Sequence, residues 1–235
     1  MYRLVDEVIY DFHKREYYAS IEQLRDDLME DRRTLTITDL GAGSMLNKSS
    51  EKKVSTLAAN ALKPPRIAKL IARLAHDFKP RTIIELGTCL GITTLYLSKA
   101  NPSSSIITVE GCPETATVAR ENFEKLGVHN IEIKVGDFDF LFPQILADMP
   151  EIDFLFVDGN HRKSATLDYF YQCLPKIHEG SLLIFDDIYW SEGMKEAWAE
   201  IKKHPSVTVT VDLFYIGLVF FKKDQAKEDF KIRFL

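Results

Sequence analysis

The fold is decided by RTIIELGTCLGITTLYLSKANPSSSIITVE, residues 81–110. It opens on a short apolar run, TIIELG (82–87), rich in β-branched residues. It turns through Gly87 and Gly91 into ITTLYLSKA (92–100), which reads as a helix. It closes on a second apolar run, SIITVE (105–110). A strand, a glycine turn, a helix and a second strand make one βαβ unit, the building block of a parallel sheet.

The alternation continues toward the C-terminus. Strands are expected at IEIKVG (131–136), IDFLFVD (152–158) and SLLIFDD (181–187). Helices are expected at 114–127, 140–149 and 164–177. Strands this continuously apolar belong to a sheet covered on both faces. A helix over 193–204 is followed by VTVTVDLF (207–214) and GLVFFKK (217–223). Their connection is too short for a crossover helix, so they pair as an antiparallel hairpin.

Upstream the pattern differs. Apolar positions Leu4, Val8 and Phe12, then Ile21, Leu24 and Leu28, recur at helical spacing in a highly charged stretch. TLTITDLGAGS (34–44) reads as extended chain turning at Gly41 and Gly43. Residues 49–62 read as a helix with Ser50 as its N-cap. Lys63-Pro64-Pro65 is a break, and a helix over 66–78 follows. The chain thus divides into a helical or lid-like extension, 1–63, and an α/β domain, 64–235.

Composition bounds the function. The 235 residues carry 30 Lys and Arg against 35 Asp and Glu, a formal charge of −5. That balance disfavours a general nucleic-acid or anionic-membrane binder, whose affinity comes from neutralising phosphates. No apolar run approaches the ~20 residues of a membrane-spanning helix. Cys89, Cys112 and Cys173 are odd in number and widely spaced, which suits neither a disulfide framework nor a zinc site. The expectation is a reduced, cytoplasmic enzyme.

In open α/β sheets ligands bind beyond the carboxyl ends of the strands. All five expected parallel strands end there in acids: Glu85 with Gly87, Glu110, Gly136-Asp137, Asp158, and Asp186-Asp187. One aspartate before a helix is most simply an N-cap; five acids along one edge call for a ligand. The glycine loop narrows the ligand. A dinucleotide fingerprint needs a second glycine two residues on so that backbone can approach the pyrophosphate. Cys89 stands there instead, and the loop holds no lysine or arginine. Glu110, 23 residues after Gly87, suits a carboxylate accepting ribose hydroxyls. A nucleoside without phosphates satisfies both observations, and S-adenosylmethionine is one.

Asp39-Leu40-Gly41-Ala42-Gly43-Ser44 also looks like a cofactor loop, but no second acid-ended strand follows at the right distance. Lys48-Ser49 lacks the glycines of a Walker A motif. The segment reads as a turn or as a lid over the site.

Glu85-Leu86-Gly87-Thr88-Cys89-Leu90-Gly91-Ile92-Thr93-Thr94-Leu95 resembles the first motif of class I S-adenosylmethionine-dependent methyltransferases, in their catechol O-methyltransferase-like branch acting on small molecules. The resemblance spans about residues 64–223. It implies a Rossmann-like, doubly wound sheet of seven mostly parallel strands with an antiparallel last strand. It implies cofactor contacts at Glu85, Gly87, Thr88, Gly91, Thr93, Glu110, Gly136, Asp137 and Asp158. Phe154 to His161 is similar to the branch's F-I-F-I-D-A-D-K segment, whose aspartate binds a divalent metal and whose lysine is the base. Asp186-Asp187-Ile188-Tyr189-Trp190 is similar to its D-N-x-x-W segment. The implied metal ligands are therefore Asp158, Asp186 and Asp187. Histidine stands at 161 for the lysine, and aspartate at 187 for the asparagine.

The expected reaction is methyl transfer to a hydroxyl. A phenol-like hydroxyl titrates near 10, so a Mg2+ ion on carboxylate oxygens would ionise and orient it. His161 would take the proton, with Asp158 beside it. Trp190 is either an acceptor wall or a core aromatic. The acceptor is a small molecule, and the N-terminal helices either shape its pocket or form a homodimer contact. Two rival classes are a nucleotide-dependent oxidoreductase on a related sheet and a non-catalytic S-adenosylmethionine-binding module. No Asn-Pro-Pro-Tyr-type motif for amino acceptors follows the fourth strand.

Overall fold

The computed structural model describes residues 2–38 and 50–234. The segment with Asp39–Ser44 and Lys48-Ser49, expected as a turn or lid, lies outside the described residues. In chain order the elements begin with a π-helical turn, Leu4–Ile9, then α1 (Tyr17–Glu30), β1 (Thr34–Ile37), β2 (Ser50–Lys53), α2 (Val54–Ala61) and α3 (Pro65–Phe78). The alternating part is β3 (Thr82–Leu86), α4 (Ile92–Ala100), β4 (Ser105–Glu110), α5 (Pro113–Lys125), β5 (Ile131–Val135), α6 (Phe138–Ala147), β6 (Ile152–Val157), α7 (Lys163–Cys173) and β7 (Ile177–Asp186). It ends with α8 (Glu192–Lys203), β8 (Val209–Asp212), β9 (Ile216–Phe220) and β10 (Glu228–Lys231).

The main sheet runs β10-β8-β9-β7-β6-β3-β4-β5. The pairs from β7 through β6, β3 and β4 to β5 are parallel, while β9 is antiparallel to both β7 and β8. The expected sheet with its antiparallel hairpin strand is present. It gains an eighth strand: β10 pairs parallel with β8 at the edge. The chain moves outward from β3 to β4 and β5, then returns to add β6 on the other side of β3. That reversal is a topological switch point, and it opens a crevice at the carboxyl ends of β3 and β6.

Why these strands are apolar throughout is visible in β6. Phe154 and Phe156 face one side and pack with Ile67, Leu70, Ile71 and Leu74 of α3. Leu155 and Val157 face the other and pack with Phe142, Tyr169, Phe170 and Trp198 of α6, α7 and α8. Side chains alternate along a strand, so a strand covered on both faces needs apolar residues at every position.

The expected helix over 49–62 is corrected. Ser50–Lys53 is a strand paired antiparallel with β1, Ile37 opposite Ser50, and α2 starts only at Val54 with Lys53 as its N-cap. The N-cap position of α2 is therefore Lys53 and not Ser50, because strand pairing claims the backbone of 50–53 first. Tyr18, Ile21, Leu24 and Leu28 of α1 pack in one core with Val54 and Ala58 of α2 and Ile92, Leu95 and Tyr96 of α4. The buried Arg73 guanidinium donates to the carbonyls of Val8 (2.7 Å) and Ile9 (3.1 Å), tying the N-terminal turn to α3.

Candidate active site

The crevice is built around the turn after β3. Gly87 has φ +112°, and a Cβ there would come 2.0 Å from the Asp158 carbonyl oxygen. Only glycine lets the ends of β3 and β6 approach this closely. The Asp158 N–H donates to the Leu86 carbonyl (2.7 Å), and the Gly87 N–H donates to that of Val109 (2.9 Å). Three non-glycine residues bordering the crevice, Cys89, Asn160 and Asp187, are left-handed at φ 49°, 51° and 52°. Backbone held in sparsely populated regions gathers where function fixes side-chain directions.

The acids at the strand ends divide by role. Asp137 is the N-cap of α6, accepting from the Asp139 N–H at 2.9 Å. Glu85 is fully buried behind the crevice. The Thr108 and Thr94 hydroxyls donate to its Oε2, and Thr88 and Thr108 share a 2.6 Å hydrogen bond. Burial pushes the Glu85 carboxyl up to about 8, so it is largely neutral at pH 7. Glu110 faces the crevice from the end of β4. Its two oxygens accept from the N–H groups of Cys89 (2.8 Å) and Cys112 (2.9 Å), and each keeps a lone pair. Burial raises its pKa, with those backbone donors working against the rise.

Asp158, Asp186 and Asp187 cap no helix; α7 and α8 begin after Arg162 and Ser191. Asp158 and Asp186 meet instead at Lys63, in the short connection between α2 and α3. Its ammonium lies 2.9 Å from Asp158 Oδ1 and also contacts Asp186 Oδ2. Burial alone would lower the Lys63 pKa, but the charges of Asp158 and Asp186 outweigh it and hold it above the usual lysine range. Asp186 is raised, first by burial and then by the Asp158 charge, with Lys63 opposing. His161 Nε2 stands 3.9 Å from Asp158 Oδ1 and 3.7 Å from Asp187 Oδ2, outside hydrogen-bonding distance of either.

The resulting cleft holds about 390 Å³. Of the residues expected at the site, Gly87, Glu110, Gly136, Asp137, Asp158, His161 and Asp187 line it. Glu85, Thr88, Gly91 and Thr93 do not; they shape the turn and the start of α4 from behind. Gly91 is the left-handed N-cap of α4, where a Cβ would come 2.5 Å from the Phe123 ring. Asp186 reaches the site through Lys63. The ligand atoms of Asp158, His161 and Asp186 lie within 4.8 Å of one another, so His161 stands in that group where Asp187 was expected. Trp190 is 73% exposed and so is not a core aromatic. Sequence reasoning missed Lys63, and it missed Ile37, Thr38, Leu57 and Asn60, which wall the cleft from the N-terminal side. A lysine beside two prolines carries no signal of an acidic partner 123 residues away.

Comparison with known proteins agrees with this geometry. A family model described as "Methyltransferase domain" matches residues 84–188, from β3 through the Asp186-Asp187 turn. The chain is 28% identical over 127 residues to a catechol O-methyltransferase of Niastella koreensis, covering 53% of this chain and 57% of that protein. It is 30% identical over 145 residues to one of Mycobacterium tuberculosis, covering 58% and 64%. The match thus spans about three-fifths of the length of these curated relatives. Among solved structures, the SAH-bound methyltransferase of Podospora anserina superposes with a TM-score of 0.65 at 15% identity, covering 94% of each chain, a likeness of fold. Residues 84–188 thus match a methyltransferase-domain model, and the chain is similar to catechol O-methyltransferases over rather more than half of its length.

Proposed function

We propose that the protein transfers the methyl group of S-adenosylmethionine to a hydroxyl of a small molecule. The observation that carries the reading is Glu110: a half-buried carboxylate with free lone pairs, facing a cleft whose glycine turn holds no basic residue. It suits ribose hydroxyls and repels pyrophosphate. When bound, the sulfonium supplies an electrophilic methyl carbon and leaves as a neutral thioether. The chain's own residues then have two tasks. They hold the acceptor oxygen in line with that carbon, a positioning effect worth several kcal/mol. They also accept the hydroxyl proton, for which His161 Nε2, free of direct partners and open to the cleft, is the suited atom.

A divalent ion expected beside the acceptor finds candidate donors in Asp158, His161 and Asp186. The Lys63 ammonium, however, contacts both of those carboxylates. Magnesium also prefers an all-oxygen set over one containing imidazole. With Lys63 in place the residues do not fit the ion.

Ile37, Thr38, Leu57, Asn60 and Lys63 form the acceptor-side wall in this reading, since they border the cleft. A reducing compartment such as the cytoplasm is part of it, in keeping with Cys89, Cys112 and Cys173 being unpaired. No helix among the described residues is long and apolar enough to cross a membrane.

The test is labelled methyl transfer to a panel of catechols, simple phenols and sugar hydroxyls. The expected result is product with at least one hydroxyl class and an equal yield of S-adenosylhomocysteine. Transfer confined to amine or thiol acceptors offered in parallel would contradict it.

A further inference from the structure

We propose that Lys63 is the built-in cation of this active site: its ammonium occupies the space between Asp158 and Asp186 and excludes a divalent ion from it. The proposal deepens the methyltransferase reading and rests on it for the identity of the acceptor.

The geometry is specific. Lys63 Nζ lies 2.9 Å from Asp158 Oδ1 and contacts Asp186 Oδ2, the two carboxylates that close β6 and β7. Asp186 is buried to 1% side-chain exposure and Lys63 to 14%. Two carboxylates this close, one buried and one half-buried, are stabilised by a cation between them, and here the chain provides it. An ammonium has three N–H donors. Two are directed to the carboxylates, which leaves one for the cleft that Lys63 lines. The backbone holds the side chain in place. Lys63 follows the last turn of α2, and Pro64-Pro65 restricts it to extended geometry before α3. A lysine so placed supplies positive charge beside the acceptor oxygen without needing an ion from solution. A divalent ion in the same gap would displace the ammonium or lie against it, like charge on like charge.

The experiment is a Mn2+ titration of the purified full chain at pH 8, followed by loss of the free-ion EPR signal. Mn2+ is the probe because it takes oxygen ligands and reports binding without turnover. Wild-type protein is expected to take up no stoichiometric Mn2+ over the range in which Lys63→Met binds one ion per chain. The gain in affinity should be about 10- to 100-fold, the span that residues around a metal's ligands commonly control. Adding Asp186→Asn to Lys63→Met should remove the gained site. One tight ion per wild-type chain, lost in Asp186→Asn, would overturn the proposal. So would a folded Lys63→Met protein that gains nothing. Circular dichroism melts establish which variants fold. If Lys63→Met does not, Lys63→Gln is titrated in its place, and the wild-type titration decides the exclusion of the ion by itself. Calorimetry with S-adenosylmethionine on the same samples separates the two readings. Failure of that ligand to bind removes the methyltransferase reading but leaves the Mn2+ result standing.

Discussion

Gly87 and Asp158 are packed so closely that a single methyl group on Gly87 would sit 2.0 Å from the Asp158 carbonyl oxygen. The contact joins the ends of β3 and β6 at the cleft that both residues line. Gly87→Ala adds that methyl at φ +112°, where L-residues are strained. The strain and the overpacking each cost roughly 1–3 kcal/mol. The expected outcome is a loss of about 3 kcal/mol or more in urea unfolding, together with loss of cofactor binding. A variant as stable as wild type would show that the two strands separate easily.

His161→Ala should separate chemistry from binding. The imidazole lines the cleft beside Asp158 and Asp187 and bonds neither directly. Turnover should fall about 100-fold or more, the usual contribution of a positioned base, while cofactor affinity changes less than about threefold, under 1 kcal/mol. Steady-state kinetics and calorimetry on the same preparation check this. A large loss of cofactor affinity would assign His161 to the cofactor pocket instead.

Glu85 makes stability depend on pH. Burial pushes its carboxyl up to about 8 in the folded chain, whereas a free glutamate titrates near 4.3. Between these values the folded state holds a proton that the unfolded state has released. The contribution of this group to stability therefore falls as pH rises through that window, by on the order of 5 kcal/mol in full. Glu85→Gln cannot ionise, so its melting temperature should vary less between pH 5 and 8 and exceed that of wild type at pH 8. An unchanged pH slope in the variant would contradict this.

Arg73 anchors the N-terminal turn. Its guanidinium donates to the carbonyls of Val8 and Ile9 from a buried position. Arg73→Met leaves both carbonyls without that donor, and hydrogen bonds to charged groups are worth about 1.5–3 kcal/mol each. Urea unfolding should register a loss of about 3–6 kcal/mol. Limited proteolysis should cut near residues 4–10 in the variant and spare them in wild type.

How far the sequence foretold this molecule depended on the range of the forces involved. The βαβ alternation is local and strongly periodic, and α4 appears at the expected residues 92–100. β2 and β10 were not legible. SEKK and EDFK are polar and lack strand alternation, and they become strands only because β1 and β8 offer unpaired backbone edges. The acid-ended strands were legible one by one, since each ends an apolar run. Their division into a helix cap at Asp137, a buried neutral group at Glu85 and a cation-paired couple at Asp158 and Asp186 was not. That division comes from side-chain burial and from Lys63, brought in across 123 residues of sequence.

On the proposed function, the cleft beside Gly87 takes a nucleoside bearing a sulfonium and no phosphate. Isothermal titration calorimetry with S-adenosylmethionine and with NAD, on wild type and Glu110→Gln, tests it most directly. The expected result is one site per chain for S-adenosylmethionine, weakened about 10- to 100-fold in Glu110→Gln by loss of a charged acceptor, and no heat of binding with NAD. Saturable binding of NAD, or S-adenosylmethionine affinity unaffected by Glu110→Gln, would contradict it.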